Sequence, residues 1–145
     1  MTTPPPPPQP LPIEAQWCLE ERKPCIDLEV ARSSQQQRWG LQGRPPLAPL
    51  RGMWFPFPQP QLLKFWMHKT PSPLDMVFID GDRVIAVEAN TTPCPNLPCR
   101  SYGPDIPGTS VVELGAGEAA RLGIGVGSAV RIKPLTPAPA APAQD

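Results

Sequence analysis

The sequence predicts a small, mainly β domain (α+β by a strict count) with one or two short helices, built as a small barrel or a strongly curled sheet. Its 145 residues suit a single domain. Twenty-five of them are proline, which excludes a helical bundle because proline inside a helix removes a hydrogen bond and clashes with the preceding turn. The other segments indicate strands, because Cys25–Arg32 alternates apolar and charged residues with a period of two and later segments are short, apolar or aromatic runs bounded by glycine and proline.

Both ends of the chain are predicted to be disordered tails. Residues 1–12 hold seven prolines, which is typical of extended polyproline II. Within the C-terminal tail, residues 134–145, the segment Thr136–Asp145 mixes proline with alanine and lacks bulky apolar side chains. A single mainly β domain is therefore expected over residues 13–133, with the tails as solvated spacers. An adaptor that captures a proline-recognising partner through its tails is an alternative.

The first predicted elements are a strand and a short helix. Cys25–Arg32 alternates apolar with charged residues, which indicates a half-buried strand. Ser33 and Gln36 have the spacing of a capping box, so a helix is predicted over Ser34–Gln42. Three prolines then predict a loop over Arg44–Arg51.

Four further strands are predicted in the middle of the chain. Gly52–Phe57 and Leu62–Met67 are rich in aromatic residues, which favours strands. Leu74–Ile79 and Val84–Ala89 flank the turn Asp80-Gly81-Asp82 and form the clearest hairpin. Both arms are almost continuously apolar, which indicates strands covered on both faces, as in a closed or folded-over sheet.

The last part of the folded segment begins with a long proline-rich loop. Asn90–Thr109 carries five prolines and no usable periodicity, and loops of that length are usually functional or disordered. A strand is predicted over Ser110–Leu114 and a short helix over Ala116–Leu122. A glycine-rich turn then leads to a final strand over Ala129–Ile132.

Charge and hydropathy exclude several classes of protein. Thirteen basic and thirteen acidic residues give no net charge, and no basic run is longer than Arg22-Lys23, so no nucleic-acid partner is expected. The apolar stretches fall far short of the roughly 18 residues that a membrane span needs, so no membrane partner is expected either. Residues 1–12 lack the basic and apolar regions of a secretory signal. We therefore expect a soluble, cytoplasmic protein.

The four cysteines do not have the spacing of a metal site. The gaps between Cys18, Cys25, Cys94 and Cys99 match no zinc knuckle or ribbon, and His68 is remote from all four in the sequence. No metal is therefore predicted, with a four-thiolate zinc site as the alternative. We expect Cys94 and Cys99 to face each other across a proline-bent loop, either as a redox-sensitive disulfide or as thiols in a reducing cytosol.

Several motifs occur in an order and spacing that resemble one known family. In chain order they are GLQGR (residues 40–44), RGMWF (51–55), FWMHKT (65–70), PLDMVFID (73–80), PCPNLPCRSYG (93–103) and VVELGAG (111–117). The sequence is similar to the domain-of-unknown-function 192 (DUF192) family of uncharacterised bacterial and archaeal proteins. The resemblance covers about residues 26–132.

The resemblance implies a bacterial protein with one compact, mostly β domain, and it brings no activity with it. Relatives often carry an export signal, which the start of this chain does not have. Two positions depart from the family pattern. The family usually has methionine where this chain has Gln42, and Lys-Asn where it has His68-Lys69. The second departure changes the charge at that position.

The densest cluster of polar and aromatic residues, Phe65–Asp75, predicts a binding pocket. In this interpretation Trp66 supplies an aromatic wall, Lys69 a cation and Asp75 a carboxylate. The structural interpretation is favoured, because aromatic residues in small β domains mostly pack: Asp75 accepts backbone N–H bonds at a turn or strand end, and Trp66 packs in the core.

Three other residues are candidates for a role in or near this pocket. The Arg44 guanidinium suits a carboxylate or phosphate ligand, or an internal ion pair with Asp75 or Glu113. Tyr102 can complete a pocket or tie the long loop to the rest of the domain. His68, the single histidine, is expected to be an exposed residue rather than a general base.

The leading functional hypothesis is a non-enzymatic module that binds a small molecule or a protein. Its groove is expected to lie between Trp66 and the loop Asn90–Thr109. Common catalytic and nucleotide-binding motifs are absent from the sequence, and no cofactor is expected. The alternative is a hydrolase or transferase that uses Asp75 with Lys69 or His68.

Overall fold

The computed structural model describes residues 8–20 and 24–135. Residues 1–7 and 136–145, which make up most of the two predicted tails, lie outside the described residues. In the described part the chain forms nine strands and two short helices, which confirms the mainly β prediction.

The last residues of the predicted N-terminal tail are bonded to the domain. The Gln9 side-chain amide donates to the carbonyl oxygens of Gln36 and Gly40 at 2.8 and 3.0 Å. The Leu11 N–H donates to the Glu29 carboxylate at 3.2 Å. Gln9 and Leu11 are therefore attached to the folded domain, because their donors bond to residues of α1 and β2 and to the turn after α1.

The domain starts with an antiparallel hairpin made of strands β1 (Ile13–Cys18) and β2 (Cys25–Val30). A disulfide joins Cys18 to Cys25 at the end of the hairpin where the connecting loop lies. The sequence analysis predicted β2 and overlooked both β1 and this disulfide. The signal for β1 was the alternation that buries Ala15 and Trp17 while their neighbours stay partly exposed.

Helix α1 (Ser34–Trp39) links β2 to strand β3 (Arg51–Gln61). The predicted capping box is present, with the Ser33 hydroxyl accepting the Gln36 N–H at 3.1 Å. The helix ends at Gly40, earlier than predicted. Because the connection crosses over through α1, β2 and β3 run parallel.

A two-stranded sheet stands apart from the main one. It pairs β4 (Phe65–Trp66) with β7 (Ser101–Tyr102). The predicted strand Leu62–Met67 is thus shorter and lies outside the main sheet, and the predicted loop Asn90–Thr109 contains a short strand. Both segments exchange their backbone hydrogen bonds with each other rather than with the main sheet.

The remaining strands complete the main sheet. They are β5 (Leu74–Asp80), β6 (Arg83–Thr91), β8 (Gly108–Gly115) and, after helix α2 (Glu118–Arg121), β9 (Ile132–Pro134). The seven strands follow the order β6-β5-β8-β3-β2-β1-β9. Among the described strands, β6 and β9 are the two edges of this sheet and do not pair with each other. The predicted barrel is therefore not confirmed. An isolated bridge joins Arg83 of β6 to Ala129, which lies three residues before β9.

The two faces of the main sheet cover two separate apolar clusters. Along β8, Val112 and Leu114 belong to the first cluster, together with Ala119 of α2. Val111 belongs to the second cluster, which is completed by residues such as Met67 near β4. Because side chains alternate along a strand, Glu113 is directed toward the second cluster. Among the described residues, no helix is long and apolar enough to cross a membrane.

Candidate functional site

A groove of about 410 Å³ opens over the second apolar cluster. One side is formed by the end of α1 and the turn that follows it, Trp39–Gln42. The other side is formed by β4 and the residues after it, including Phe65, Trp66 and His68. Glu113 of β8 lines the groove from the main sheet beneath. The volume falls in the range of small-molecule sites.

Aromatic rings make up the β4 side of this groove. Phe65 packs edge-to-face against Phe55 of β3 at a centroid distance of 5.0 Å, and against Phe57 at 6.3 Å. The Trp66 ring lies 5.0 Å from the His68 ring. Trp66 is 45% exposed, so its indole is a wall open to solvent rather than part of the core. An aromatic ring in this setting can pack on an apolar or cationic group.

The long loop after β6 holds this aromatic wall in place. Met67 accepts a backbone hydrogen bond from Cys94 at 3.1 Å, and Lys69 donates one to the Cys94 carbonyl at 3.2 Å. A disulfide joins Cys94 to Cys99 within the loop. Ser101 of the same loop lines the groove. The loop therefore both supports the wall and supplies part of its surface.

Glu113 is a buried carboxylic acid at the groove, and it has no counter-charge. It is 4% exposed and lies between Met53 of β3 and Met76 of β5, its partners in the two ladders. No described residue donates a hydrogen bond to its carboxyl or forms a salt bridge with it. Burial raises the pKa of Glu113 from 4.5 to about 8. The group therefore carries a proton at neutral pH.

Three basic side chains border the groove, at a distance from Glu113 too great for a salt bridge. Lys64 donates to the Gly103 carbonyl at 2.7 Å and pairs with Asp105 at 3.0 Å. Arg38 is exposed on α1, and His68 is half-buried beside Trp66. Water screens exposed charges such as that of Arg38.

The structure does not bring Asp75 into this groove. Asp75 is 1% exposed, and its two carboxylate oxygens accept the backbone N–H groups of Asn90 at 2.8 Å and Ala119 at 2.9 Å. Ala119 belongs to the cluster on the opposite face of the sheet. Lys69 is exposed and absent from the groove lining. The predicted pocket that combines Trp66, Lys69 and Asp75 is therefore not assembled.

Arg44 makes an internal ion pair, and its partner is not one of the two carboxylates considered from the sequence. Its guanidinium donates to both oxygens of Glu29, at 2.6 and 2.7 Å, and to the Gln9 carbonyl at 3.1 Å. The hydrogen bond to Glu29 raises the pKa of Arg44 above its ordinary value. Both side chains are largely buried. The pair clamps the turn after α1 to β2, which sets one side of the groove.

Tyr102 lies behind the groove wall. It is buried, its hydroxyl accepts the Thr92 N–H at 3.2 Å, and the Arg100 guanidinium stands 4.4 Å from its ring centroid. These residues line a second cavity of about 240 Å³ beside Met67. Tyr102 therefore ties the long loop to the domain.

The described residues hold no group of three or more side chains that could bind a metal ion. All four cysteines are paired in disulfides, which leaves no thiolate for the four-cysteine zinc alternative. Sequence reasoning named Glu113 only as a partner for arginine. A single acidic residue inside the otherwise apolar strand SVVEL was the signal that could have marked it as a buried functional group.

Comparison with known proteins agrees with the family resemblance that the sequence motifs indicate. The model of the DUF192 family, described as Uncharacterized ACR, matches residues 17–132. The chain belongs to the DUF192 family.

Solved structures of two bacterial proteins are similar to this DUF192 chain. One is a protein of unknown function from Novosphingobium aromaticivorans DSM 12444, 31% identical, with a TM-score of 0.70 and 83% of each chain covered. The other is described as a candidate transcription regulator from Sinorhizobium meliloti 1021. It is 28% identical, with a TM-score of 0.69, and the match covers 83% of this chain and 92% of that one. No curated protein matches the chain.

Proposed function

We propose that this DUF192 chain is a non-enzymatic binding module that takes a small ligand into the groove between the α1 turn and β4. The observation that carries the proposal is the combination of an aromatic wall with one buried, unpaired carboxyl in a groove of about 410 Å³. Apolar concave sites with a few convergent polar groups are the usual form of small-molecule sites.

The contributions to binding follow from the exposure of each side chain. Trp66 and Phe65 offer ring faces to the apolar part of a ligand, and Ser101 and Thr70 offer hydroxyl groups. Among the residues that the structure describes, Glu113 is the one acidic residue that lines the groove. It is therefore the group best placed to fix the orientation of a polar ligand atom.

The enzymatic alternative, a hydrolase or transferase based on Asp75, has no comparable support. Both Asp75 oxygens already accept backbone N–H groups at 2.8 and 2.9 Å, and the residue is buried away from the groove. A general acid or base has to reach the substrate. The absence of nucleic-acid and membrane partners remains a prediction from the sequence.

The cytoplasmic location predicted from the sequence also remains a prediction. The two disulfides favour a compartment that keeps cysteines oxidised. The proposed binding of a ligand in the groove holds for either location.

A fragment screen by saturation-transfer NMR tests the proposal. The library contains soluble amines, carboxylic acids and neutral aromatic compounds, each at about 1 mM, a concentration suited to weak fragment binding. The groove variant is Trp66→Ala. Its matched control is Leu97→Ala, which also removes an exposed apolar side chain, 60% exposed, from outside the groove.

We expect hits whose affinity falls about tenfold in Trp66→Ala, equivalent to about 1.4 kcal/mol, and is unchanged in Leu97→Ala. A library without hits would refute the proposal. Hits that bind both variants equally well would refute it too, since they would place the ligand elsewhere.

A further inference from the structure

We infer that the ligand of this groove is an organic cation, whose ammonium group pairs with the Glu113 carboxylate while its alkyl groups pack against the aromatic wall of Phe65 and Trp66. The inference rests on the proposed function, because it names the ligand class for the same groove.

The position of Glu113 is the first argument. A carboxylate taken out of water needs a counter-charge or several hydrogen bonds, and Glu113 is 4% exposed with neither among the described residues. Its ladder neighbours Met53 and Met76 are apolar and cannot supply one. The side chain nevertheless reaches the groove lining, where a ligand can provide the missing charge.

The surrounding rings are the second argument. Trp39, Phe55, Phe65 and Trp66 line the same groove as this carboxyl. The negative face of an aromatic ring attracts organic ammonium ions, and such rings combined with an acidic group form the usual recognition site for alkylated ammonium groups. An inorganic metal ion is a poor fit, because it prefers several oxygen, nitrogen or sulfur ligands and no group of three such residues exists among those described.

The charges at the rim argue against an anionic ligand. Lys64 already has the Asp105 carboxylate and the Gly103 carbonyl as partners. Arg38 is exposed on α1 at the edge of the groove, where water screens its charge. An anion in the groove would also lie against a Glu113 carboxyl that has to stay neutral. A cation turns that buried group into a favourable partner instead.

Binding of a cation is then coupled to the release of a proton. In the free protein burial holds the pKa of Glu113 at about 8, so at pH 7 most molecules carry the protonated acid. When the ligand binds, Glu113 releases that proton to solvent. The resulting carboxylate then pairs with the ammonium group. Apart from the O–H bond of the acid, no covalent bond forms or breaks. Affinity therefore rises with pH up to about 8 and levels off above it.

In the described part of the chain, three other titratable or charged groups line the groove. They are Arg38 on α1, Lys64 just before β4 and His68 just after it. His68 lines the groove beside Trp66 and therefore receives its own control variant. The ladder partners of Glu113 on β3 and β5, Met53 and Met76, carry no charge.

The test uses choline and its uncharged isostere 3,3-dimethyl-1-butanol, measured by titration calorimetry on the full chain at pH 7 and pH 9. The charge of choline does not change with pH, so any pH dependence belongs to the protein. With a pKa of about 8, the ionised fraction of Glu113 rises from about 0.1 at pH 7 to about 0.9 at pH 9. The expected choline affinity is therefore about tenfold higher at pH 9, whereas the isostere binds weakly at both pH values.

Two variants assign the effect to one side chain. Glu113→Gln keeps the size of the side chain and cannot ionise. The tenfold pH dependence should therefore disappear, and the preference for choline over the isostere should shrink to what the aromatic rings alone supply. His68→Gln should keep the tenfold ratio. A measurement on the unaltered protein covers the case in which the glutamine variant fails to fold. Calorimetry in two buffers of different ionisation enthalpy should show about 0.9 proton released per choline at pH 7.

Three results would overturn the inference: equal binding of choline and the isostere, a choline affinity that is the same at pH 7 and pH 9, or no choline binding at about 10 mM and pH 9. None of them decides the proposed function. Neutral or anionic fragments that bind the unaltered protein and lose affinity in Trp66→Ala would leave the groove as a ligand site with another specificity.

Discussion

Replacement of Glu113 by glutamine should change how the free energy of unfolding depends on pH. Glu113 is 4% exposed and unpaired among the described residues, and its pKa rises from 4.5 to about 8 on folding. The amide has nearly the same shape and stays neutral throughout this range. The variant therefore removes one titration and leaves the packing between Met53 and Met76 in place.

The size and sign of the effect follow from proton linkage. Below pH 4.5 the acid is protonated in both the folded and the unfolded chain, so its contribution to stability is fully present. Between pH 4.5 and pH 8 the folded state binds more protons than the unfolded state, and the free energy of unfolding falls by about 1.4 kcal/mol for each pH unit. The full loss reaches about 5 kcal/mol above pH 8, which is a large part of the stability of a small domain.

Urea denaturation followed by tryptophan fluorescence at pH 5, 7 and 9 measures this effect. The unaltered chain should lose stability across the series, whereas Glu113→Gln should lose much less. The difference between the two should widen in favour of the variant by several kcal/mol from pH 5 to pH 9. Other titrating groups are common to both proteins and cancel in the difference.

Parallel stability curves for the two proteins would refute the reasoning. They would show that Glu113 has the same pKa in the folded and unfolded chain, and therefore that water or a counter-charge reaches it. A gap that widens toward acid pH would refute it as well, because that sign requires a carboxylate stabilised by folding.

Two further predictions concern buried carboxylates outside the groove. Arg44→Ala should lower the free energy of unfolding by about 3 kcal/mol in urea denaturation, because the largely buried Glu29 carboxylate loses both of its hydrogen bonds from Arg44. A loss below about 0.5 kcal/mol, as for an exposed pair, would contradict this prediction. Asp75→Asn should cost about 1–3 kcal/mol, because an amide offers one acceptor oxygen to the two N–H groups of Asn90 and Ala119. The choline affinity of Asp75→Asn should match that of the unaltered protein. If the folded variant lost choline affinity, Asp75 would be part of the binding site and this prediction would be wrong.

Local patterns were sufficient for many of the elements. The Ser33–Gln36 capping box predicted the start of α1, and the apolar arms around Asp80–Asp82 predicted the β5–β6 hairpin. These signals depend on residues within a few positions of each other, so they are visible in a single sequence. Weaker signals were overlooked: β1 has only two buried positions in its alternation.

The candidate site illustrates the opposite case. The sequence analysis chose Asp75 as the carboxylate of the pocket, because it lies near Trp66 along the chain. In the ladder, Asp75 pairs with Leu114 and Met76 pairs with Glu113. Asp75 and Glu113 lie one position apart in this register, so their side chains point to opposite faces of the sheet. One of them bonds to backbone near α2, and the other reaches the groove.

By itself the sequence determined a mainly β domain, its family, its short capped helix and an aromatic cluster that became one wall of the groove. Only the tertiary structure decided that the sheet stays open among the described residues, that Arg44 pairs with Glu29, and that Glu113 is the unpaired acid. Those outcomes depend on register between strands far apart in the chain, and a shift of one residue exchanges the buried and exposed faces of a strand. Periodicity shows that a strand has two faces, whereas its neighbours in the sheet decide what each face meets.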